Sequence, residues 1–268
     1  MQKTIFITGA SSGLGKTAAK LFHSKGWNVI ATMRNPERET ELRQFANIKL
    51  FRLDVSEKDE IENMISEILE NHTIDVVLNN AGYGLIGPLE AFSDEQMQKQ
   101  IDTNVMGVIR VTKAFTPYFR LKNQGVFINI TSTFGFMGFP TCSVYSAAKF
   151  AVDGFSECMA YELAQFNIKV KVVAPGGIQT DFAGRSIDGA SHDSYQKIIS
   201  KVQQGYSPEQ IAKYSKPEDI AQVIFEAATD GENQFRYIAG KDARELYNER
   251  LTCGAEKQVQ KIRSEFVF

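Results

Sequence analysis

Tyr145 and Lys149 stand four residues apart, and Ser132 lies thirteen residues upstream of Tyr145. Residues at that spacing share one face of a helix, with about 5–6 Å between Cβ atoms. A helix beginning near Tyr145 therefore brings the ammonium to the phenol. A free phenol titrates near pH ~10 and is a poor proton donor or acceptor at neutral pH. A neighbouring cation favours phenolate and draws its pKa toward the working range, as a general acid or base requires. Ser132 follows an apolar run over residues 126–130, which reads as a strand. A hydroxyl at the carboxyl end of that strand hydrogen-bonds a substrate oxygen beside the phenol. The pattern also occurs a second time, at Tyr118 and Lys122. Position 105, where the matching serine would stand, is Val105, and the pair sits where a helix is ending. Tyr118 reads as an amphipathic surface residue.

The elements that must position these groups are legible around them. Residues 3–8 form a short apolar run that ends in Gly9, Ser11, Ser12, Gly13, Leu14 and Gly15. Ala18, Ala19, Leu21 and Phe22 then follow at helical spacing, and the pattern stops near Gly26. A buried strand, a glycine-rich turn and a helix make the phosphate-binding corner of a dinucleotide fold, with free helix N–H groups facing the pyrophosphate. The spacing is G-x-x-x-G-x-G, not G-x-G-x-x-G. Residues 28–33 form the second strand, and no acid stands at its end to bind the adenosine ribose. Arg34 stands there instead. Its planar fork suits a 2′-phosphate, which predicts NADP over NAD.

Further along, residues 36–46 read as a helix and 48–53 as a strand ending in Asp54 and Val55. Ser56 with Asp59 resembles a capped helix start; the helix runs to Asn71, with Ile61, Met64, Ile65, Ile68 and Leu69 inward. Residues 75–78 form a fourth strand closing on Asn79, Asn80, Ala81 and Gly82. Ser93 opens a helix that continues or restarts through Asn104 toward Phe119, where Asn104 reads as a local cap or kink. The Tyr145 helix extends to about Asn167, with Ala148, Ala151, Val152, Phe155 and Met159 as its packing stripe. Residues 168–173 form a strand ending at Pro175, Gly176, Ile178 and Thr180. From 181 to 215 the pattern weakens, as in a lid over a site. Lys216 starts a helix, residues 235–238 form a last strand, and 240–268 is a mostly helical, charged extension whose apolar end folds back or meets a second subunit. Strands alternating with helices imply a parallel sheet with right-handed crossovers. Asp54, Asn80 and Ser132 all fall at carboxyl ends of strands, where ligands of such sheets collect.

Composition narrows the function classes. A net charge of −2 over 268 residues gives no basic field for nucleic acid. No apolar run approaches the ~20 residues of a membrane helix, and the N-terminus has neither signal-peptide flanks nor a cleavage pattern. Cys142, Cys158 and Cys253 are odd in number and widely spaced, which fits reduced thiols in the cytoplasm. His23, His72 and His192 are scattered without metal-ligand spacing, so no metal is expected.

The motifs Thr8-Gly9-x-x-x-Gly13-x-Gly15, Asn79-Asn80-Ala81-Gly82, Ser132, Tyr145-x-x-x-Lys149 and Pro175-Gly176 occur in that order. Together they resemble the short-chain dehydrogenase/reductase family over about residues 3–240. The resemblance implies a single doubly wound (Rossmann) α/β domain with a seven-stranded parallel sheet. It implies that Tyr145 is the proton donor or acceptor, that Lys149 lowers its pKa and binds the nicotinamide ribose, and that Ser132 holds the substrate oxygen. Asn104 matches the helix asparagine that keeps a water for a proton relay to Lys149. The glycine corner, Asp54, Val55, Asn80, Ala81, Gly82, Pro175, Gly176, Ile178 and Thr180 then line the cofactor. Arg34 matches the position favoured in NADP-using members, although Ser12 stands where many of them carry a second basic residue. Residues 235–243 are similar to hydroxysteroid-dehydrogenase-like members, and a dimer or tetramer is common in the family.

The expected reaction is hydride transfer between NADP(H) and a carbonyl/alcohol pair. Tyr83, Leu85, Phe134, Phe136, Met137, Phe139 and Phe182 are the expected substrate face. They are aromatic and apolar with no fixed charge, which suits an uncharged hydrophobic substrate. Two rivals are a sugar-nucleotide epimerase or dehydratase, which needs a larger C-terminal substrate domain, and a non-catalytic NADP(H) sensor, which is expected to lack part of the constellation.

Overall fold

The protein is described here by a computed structural model covering residues 2–180 and 186–266. Its strands are β1 (Thr4–Ile7), β2 (Asn28–Met33), β3 (Ile48–Arg52), β4 (Val76–Asn79), β5 (Gly84–Ile86), β6 (Gly125–Ile130), β7 (Ile168–Pro175), β8 (Ile187–Gly189) and β9 (Arg236–Ala239). Seven of them form one parallel sheet in the order β3-β2-β1-β4-β6-β7-β9. The order reverses between β1 and β4, so the crevice at their carboxyl ends is the switch point where such sheets bind ligands. The expected doubly wound α/β fold is present. A second sheet, the short parallel pair β5 and β8, was not expected.

The helices are α1 (Gly13–Ser24), α2 (Lys58–Asn71), α3 (Asp94–Ile101), α4 (Gly107–Lys122), α5 (Ser143–Ala164), α6 (Gln196–Gln204), α7 (Pro208–Ile211), α8 (Pro217–Thr229), α9 (Lys241–Cys253) and α10 (Ala255–Phe266). Successive residues of a strand face opposite sides, and β1 divides accordingly. Ile5 and Ile7 join a core with Phe22 of α1 and Ile220 and Ile224 of α8. Phe6 joins the opposite core with Ile61, Met64, Ile65 and Ile68 of α2 and with Val111, Phe115 and Phe119 of α4. Two apolar layers thus clamp the sheet, and its rim is left for chemistry.

Several expectations need correction. Residues 36–46 are not a helix but two 3₁₀ turns, Pro36–Arg38 and Leu42–Gln44. Leu42 is the one buried residue in those turns, so no apolar stripe holds a longer helix in place. The Glu39 carboxylate also accepts from the amides of Glu41 and Leu42, both at 2.9 Å, and fixes the second turn. Ser56 does not cap α2; its hydroxyl donates to Asp54 at 2.7 Å, and the helix starts two residues later. Ser93 does cap α3, in a full capping box with Gln96. Helix α5 ends at Ala164, short of Asn167. Ala151 is exposed, because the buried phase of α5 runs through Ala148, Lys149, Val152 and Ser156. The stretch expected as a weakly patterned lid, 181–215, carries β8, α6 and α7 in its described part. Val202 is the single buried residue of α6, which explains the weak pattern. Phe182 lies outside the described residues. No described helix is long and apolar enough to cross a membrane, and no described group of three or more His, Cys, Asp or Glu side chains could hold a metal ion.

Candidate active site

The glycine corner is held open from behind by β4. Thr8, just past β1, accepts hydrogen bonds through its hydroxyl from the amides of Asn80 and Ala81, both at 3.0 Å. Asn80 returns its side-chain amide to the carbonyls of Thr8 and Gly9, at 2.9 and 3.0 Å. Gly9 has φ +68°, and a Cβ there would stand 2.7 Å from the Ala81 Cα. Only glycine meets both demands. A Cβ on Gly15 would stand 2.4 Å from the Asn80 amide nitrogen, so the start of α1 lies tight against the same asparagine. Ser12 precedes α1 in extended conformation without a side-chain cap, and Ser11 is exposed. The first N–H groups of α1 are thus uncapped by a side chain, as a pyrophosphate cradle requires. Leu14 packs into the core.

Around this corner, Arg34 is exposed beyond the end of β2 and makes no ion pair or hydrogen bond to any described residue. Lys16 differs: it is engaged by Glu39 at 2.8 Å and Glu41 at 3.4 Å. The Asp54 carboxylate accepts from the Ser56 amide and hydroxyl, and Val55 is buried against Gly107. On the other side, the Thr180 methyl comes within 3.8 Å of where a Gly13 Cβ would be. The loop after Pro175 is shaped by two residues not anticipated from sequence. Asp242 accepts from the Gly177 amide at 2.7 Å and fills the space a Gly176 Cβ would need, and the Tyr214 ring does the same at Gly177. Ile178 bridges to Ser215.

Ser132 follows β6 and is the N-cap of a 3₁₀ turn, its hydroxyl accepting from the Phe134 amide at 3.2 Å. Tyr145 lies in the first turn of α5 and Lys149 one turn on, with the ammonium 5.8 Å from the Tyr145 ring centroid. The Lys149 ammonium donates to the carbonyl of Ile130, the last residue of β6, at 2.9 Å. Burial brings its pKa down to about 8. Burial also pushes the Tyr145 phenol up to about 12; a hydrogen bond with Ser132 pulls it back in part, and Cys142 adds to the rise. The acidification expected from Lys149 does not show in this balance: desolvation is the largest cause, and Lys149 is not among the causes. The phenol and the ammonium thus stand together at the carboxyl end of β6.

Asn104 sits in a π-turn, Asp102–Met106, that joins α3 to α4. Its side chain accepts from the Tyr83 amide at 3.1 Å and donates to the Tyr83 carbonyl at 2.8 Å. It thus clamps the strand that leaves the site, and Gln100 donates to the same carbonyl at 3.1 Å. A Cβ on Gly82 would press on the Asn104 side chain at 3.2 Å. Beneath the site, Asn79 donates to Asn129 at 2.8 Å and Asn129 to Ser156 at 2.8 Å, tying β4, β6 and α5 together. Two asparagines inside apolar strands were the sequence signal for that network.

Phe134 meets the Tyr145 ring edge-on at 6.1 Å and stacks on Phe139 at 5.3 Å; both are half-buried. Phe136, Met137 and Leu85 are instead buried in packing contacts. Tyr83 is half-buried, its hydroxyl enclosed without a partner. Tyr206, overlooked in the sequence, faces this group. Burial first, then the neighbouring Cys142, Tyr145 and Tyr214, holds its phenol well above the ordinary range.

The chain is similar to known proteins in sequence and in fold. The family described as short chain dehydrogenase matches residues 3–190. Oxidoreductase BOA17 of Botryotinia fuckeliana is 36% identical over 250 residues, 91% of each chain. A short-chain dehydrogenase from Streptomyces avermitilis superposes with TM-score 0.85 at 28% identity over the whole of both chains. ElxO with NADP bound superposes with TM-score 0.73 at 28% identity, over 89% of this chain and 98% of that one. With a glycine corner at the switch point and Ser132, Tyr145 and Lys149 at the adjoining strand end, the chain belongs to the short-chain dehydrogenase/reductase family of NAD(P)-dependent oxidoreductases.

Proposed function

We infer that the protein interconverts an uncharged, hydrophobic carbonyl compound and its alcohol with NADP(H), with Tyr145 as the acid. The observation that carries this reading is the Tyr145 phenol beside the Ser132 hydroxyl, one helical turn from a buried ammonium. When bound, the nicotinamide supplies or accepts the hydride. The uncapped start of α1 and the open glycine corner suit its pyrophosphate, and Arg34 suits a 2′-phosphate. Lys149 is within the same strand-end crevice to bind the nicotinamide ribose. Asp54, Val55, Asn80, Ala81, Gly82, Pro175, Gly176, Ile178 and Thr180 are assigned to the walls of the cofactor cleft.

Ser132 and Tyr145 together hydrogen-bond the substrate oxygen, and Tyr145 gives it a proton as negative charge develops there. Lys149, while charged, stabilises the phenolate left behind. Asn104, assigned to the proton relay with Lys149, also positions the start of β5 through Tyr83. The half-buried rings of Phe134, Phe139 and Tyr83 favour an apolar substrate. A homo-oligomer belongs to the reading, because the outer face of α5 leaves Phe150 and Tyr161 exposed. A reducing, cytoplasmic setting is supported by three free cysteines, two of them exposed.

The test is a panel of ketones and aldehydes of graded polarity, followed by NADPH absorbance with NADH in parallel. Turnover of apolar carbonyls with NADPH is the expected result. Binding of NADPH without turnover of any of them would favour the sensor reading, and preference for small anions would refute the substrate class. Arg34→Ser should cut the NADPH-over-NADH preference in kcat/KM by about 10–100-fold, from loss of a charge-assisted contact.

A further inference from the structure

Three half-buried rings lead away from the reacting phenol. Phe134 stands edge-on to Tyr145, Phe139 stacks on Phe134, and Phe266 meets Phe139 edge-on at 5.4 Å. Phe266 closes α10, far along the chain from the catalytic motif, and its position there is built. Helix α10 is folded back on α9: buried Gln258 donates to the Leu246 carbonyl at 2.9 Å and accepts from Arg250 at 3.1 Å. Lys261 pairs with Glu249 at 2.7 Å. Ile262, Leu246 and Tyr247 pack against the cluster of buried Phe136 and Met137, as Phe134 and Phe139 do. Lys201 of α6 donates to the Glu265 carbonyl and lies 5.0 Å over the Phe266 ring. The last turn of α10 is therefore held between the loop after β6 and the segment after β7.

We propose that Phe266, held in place by Lys201, is the outer specificity wall of the substrate pocket and selects carbonyl compounds carrying a long apolar tail. The proposal rests on the reductase reading above and deepens it. The carbonyl oxygen sits between Ser132 and Tyr145, and the tail runs along Phe134 and Phe139 to reach Phe266. Short substrates end before the third ring. Phe136 and Met137 do not contact the tail; they back the wall, because their own surfaces are already spent on α9 and α10.

The experiment compares the wild-type chain with Phe266→Ala, Phe266→Leu and Lys201→Met on aldehydes from butanal to dodecanal, with NADPH. Wild-type kcat/KM should rise with chain length. Phe266→Ala should lose about tenfold on dodecanal, the scale of one aromatic contact's apolar surface. On butanal it should stay within about twofold of wild type. Phe266→Leu should recover most of the loss, and Lys201→Met should show the same length-dependent loss at about threefold. NADPH affinity, followed by fluorescence, should not change in any of them. Equal losses on both aldehydes, or none on dodecanal, would overturn the proposal and leave the reductase reading standing. A wild-type chain that binds NADPH and reduces neither these aldehydes nor the methyl ketones of the same chain lengths would remove that reading, and the proposal with it.

Discussion

The two Tyr-x-x-x-Lys pairs are the same object locally. In each, the ammonium lies 5.8 Å from the ring centroid of a tyrosine one helical turn away. Everything else differs. The Tyr118 hydroxyl accepts from the Ile74 amide at 3.0 Å, and Lys122 donates to the Ile74 carbonyl at 2.9 Å and to Asp75 at 2.7 Å. Both groups are consumed in tying the end of α4 to the start of β4. Tyr118 is thus more than a surface residue: it fastens a strand. Tyr145 instead shares a hydrogen bond with Ser132, and Lys149 has a backbone carbonyl but no carboxylate among the described residues. An ion pair satisfied by protein is structural, whereas a buried cation answered only by a carbonyl has capacity left for a ligand. The spacing makes the pair; what it faces makes the chemistry.

The largest break between the two pairs should come from the phenols. Tyr145→Phe is expected to reduce kcat by at least about 1,000-fold with NADPH affinity nearly unchanged, because the proton donor is lost while the cleft remains. Tyr118→Phe should leave kcat within about twofold. Comparable kinetic losses in both would erase the distinction. Next come the lysines, with effects on stability of opposite sense. Lys149→Met should cost about 100-fold in turnover, yet stability at pH 7 should hold or rise by about 1 kcal/mol, since a desolvated charge is removed. Lys122→Met should leave turnover alone and cost about 1–2 kcal/mol in urea unfolding, as a part-buried pair and a carbonyl contact are lost.

Titration sharpens the same contrast. Lys149 falls from 10.5 in the unfolded chain to about 8 in the folded one. Between those values the unfolded chain binds more protons, so its contribution makes stability rise with pH across that window. The phenol works in the other direction, from 10.0 up to about 12, where the folded chain holds the extra proton and stability falls as pH rises. Urea midpoints of wild type minus Lys149→Met should therefore climb from about pH 8 to pH 10.5; a flat difference would contradict the buried ammonium. In parallel, kcat/KM should fall as pH rises through about 8. The smallest effect is the stability cost of Tyr118→Phe, about 1 kcal/mol from one amide left without its acceptor.

Much of this was legible because the chemistry demands particular residues at particular ends of strands. Gly9, Gly13, Asn80, Ser132, Tyr145 and Lys149 each announce themselves by type and by place in the strand–helix alternation. Asp242, Tyr206 and Tyr214 do not. They reach the site from helices and turns whose local pattern is ordinary, and only tertiary packing brings them to Gly176, Gly177 and Tyr145. The raised proton affinity of Tyr145 was not legible either, since a neighbour's charge is visible in the sequence and the water excluded by folding is not. Residues 36–46 misled through composition: helix-forming residues without an apolar stripe became two short turns pinned by Glu39.

The π-turn between α3 and α4 has a consequence for how this enzyme tolerates change. Each helical residue advances the backbone by about 100°, so the surplus residue within Asp102–Met106 sets the rotation of one helix against the other. A one-residue deletion there would yield a smoother, better hydrogen-bonded rod. It would also swing Gln100 about a quarter-turn off the Tyr83 carbonyl that it now shares with Asn104. The molecule would gain a tidier scaffold and lose its grip on the far bank of its own cleft.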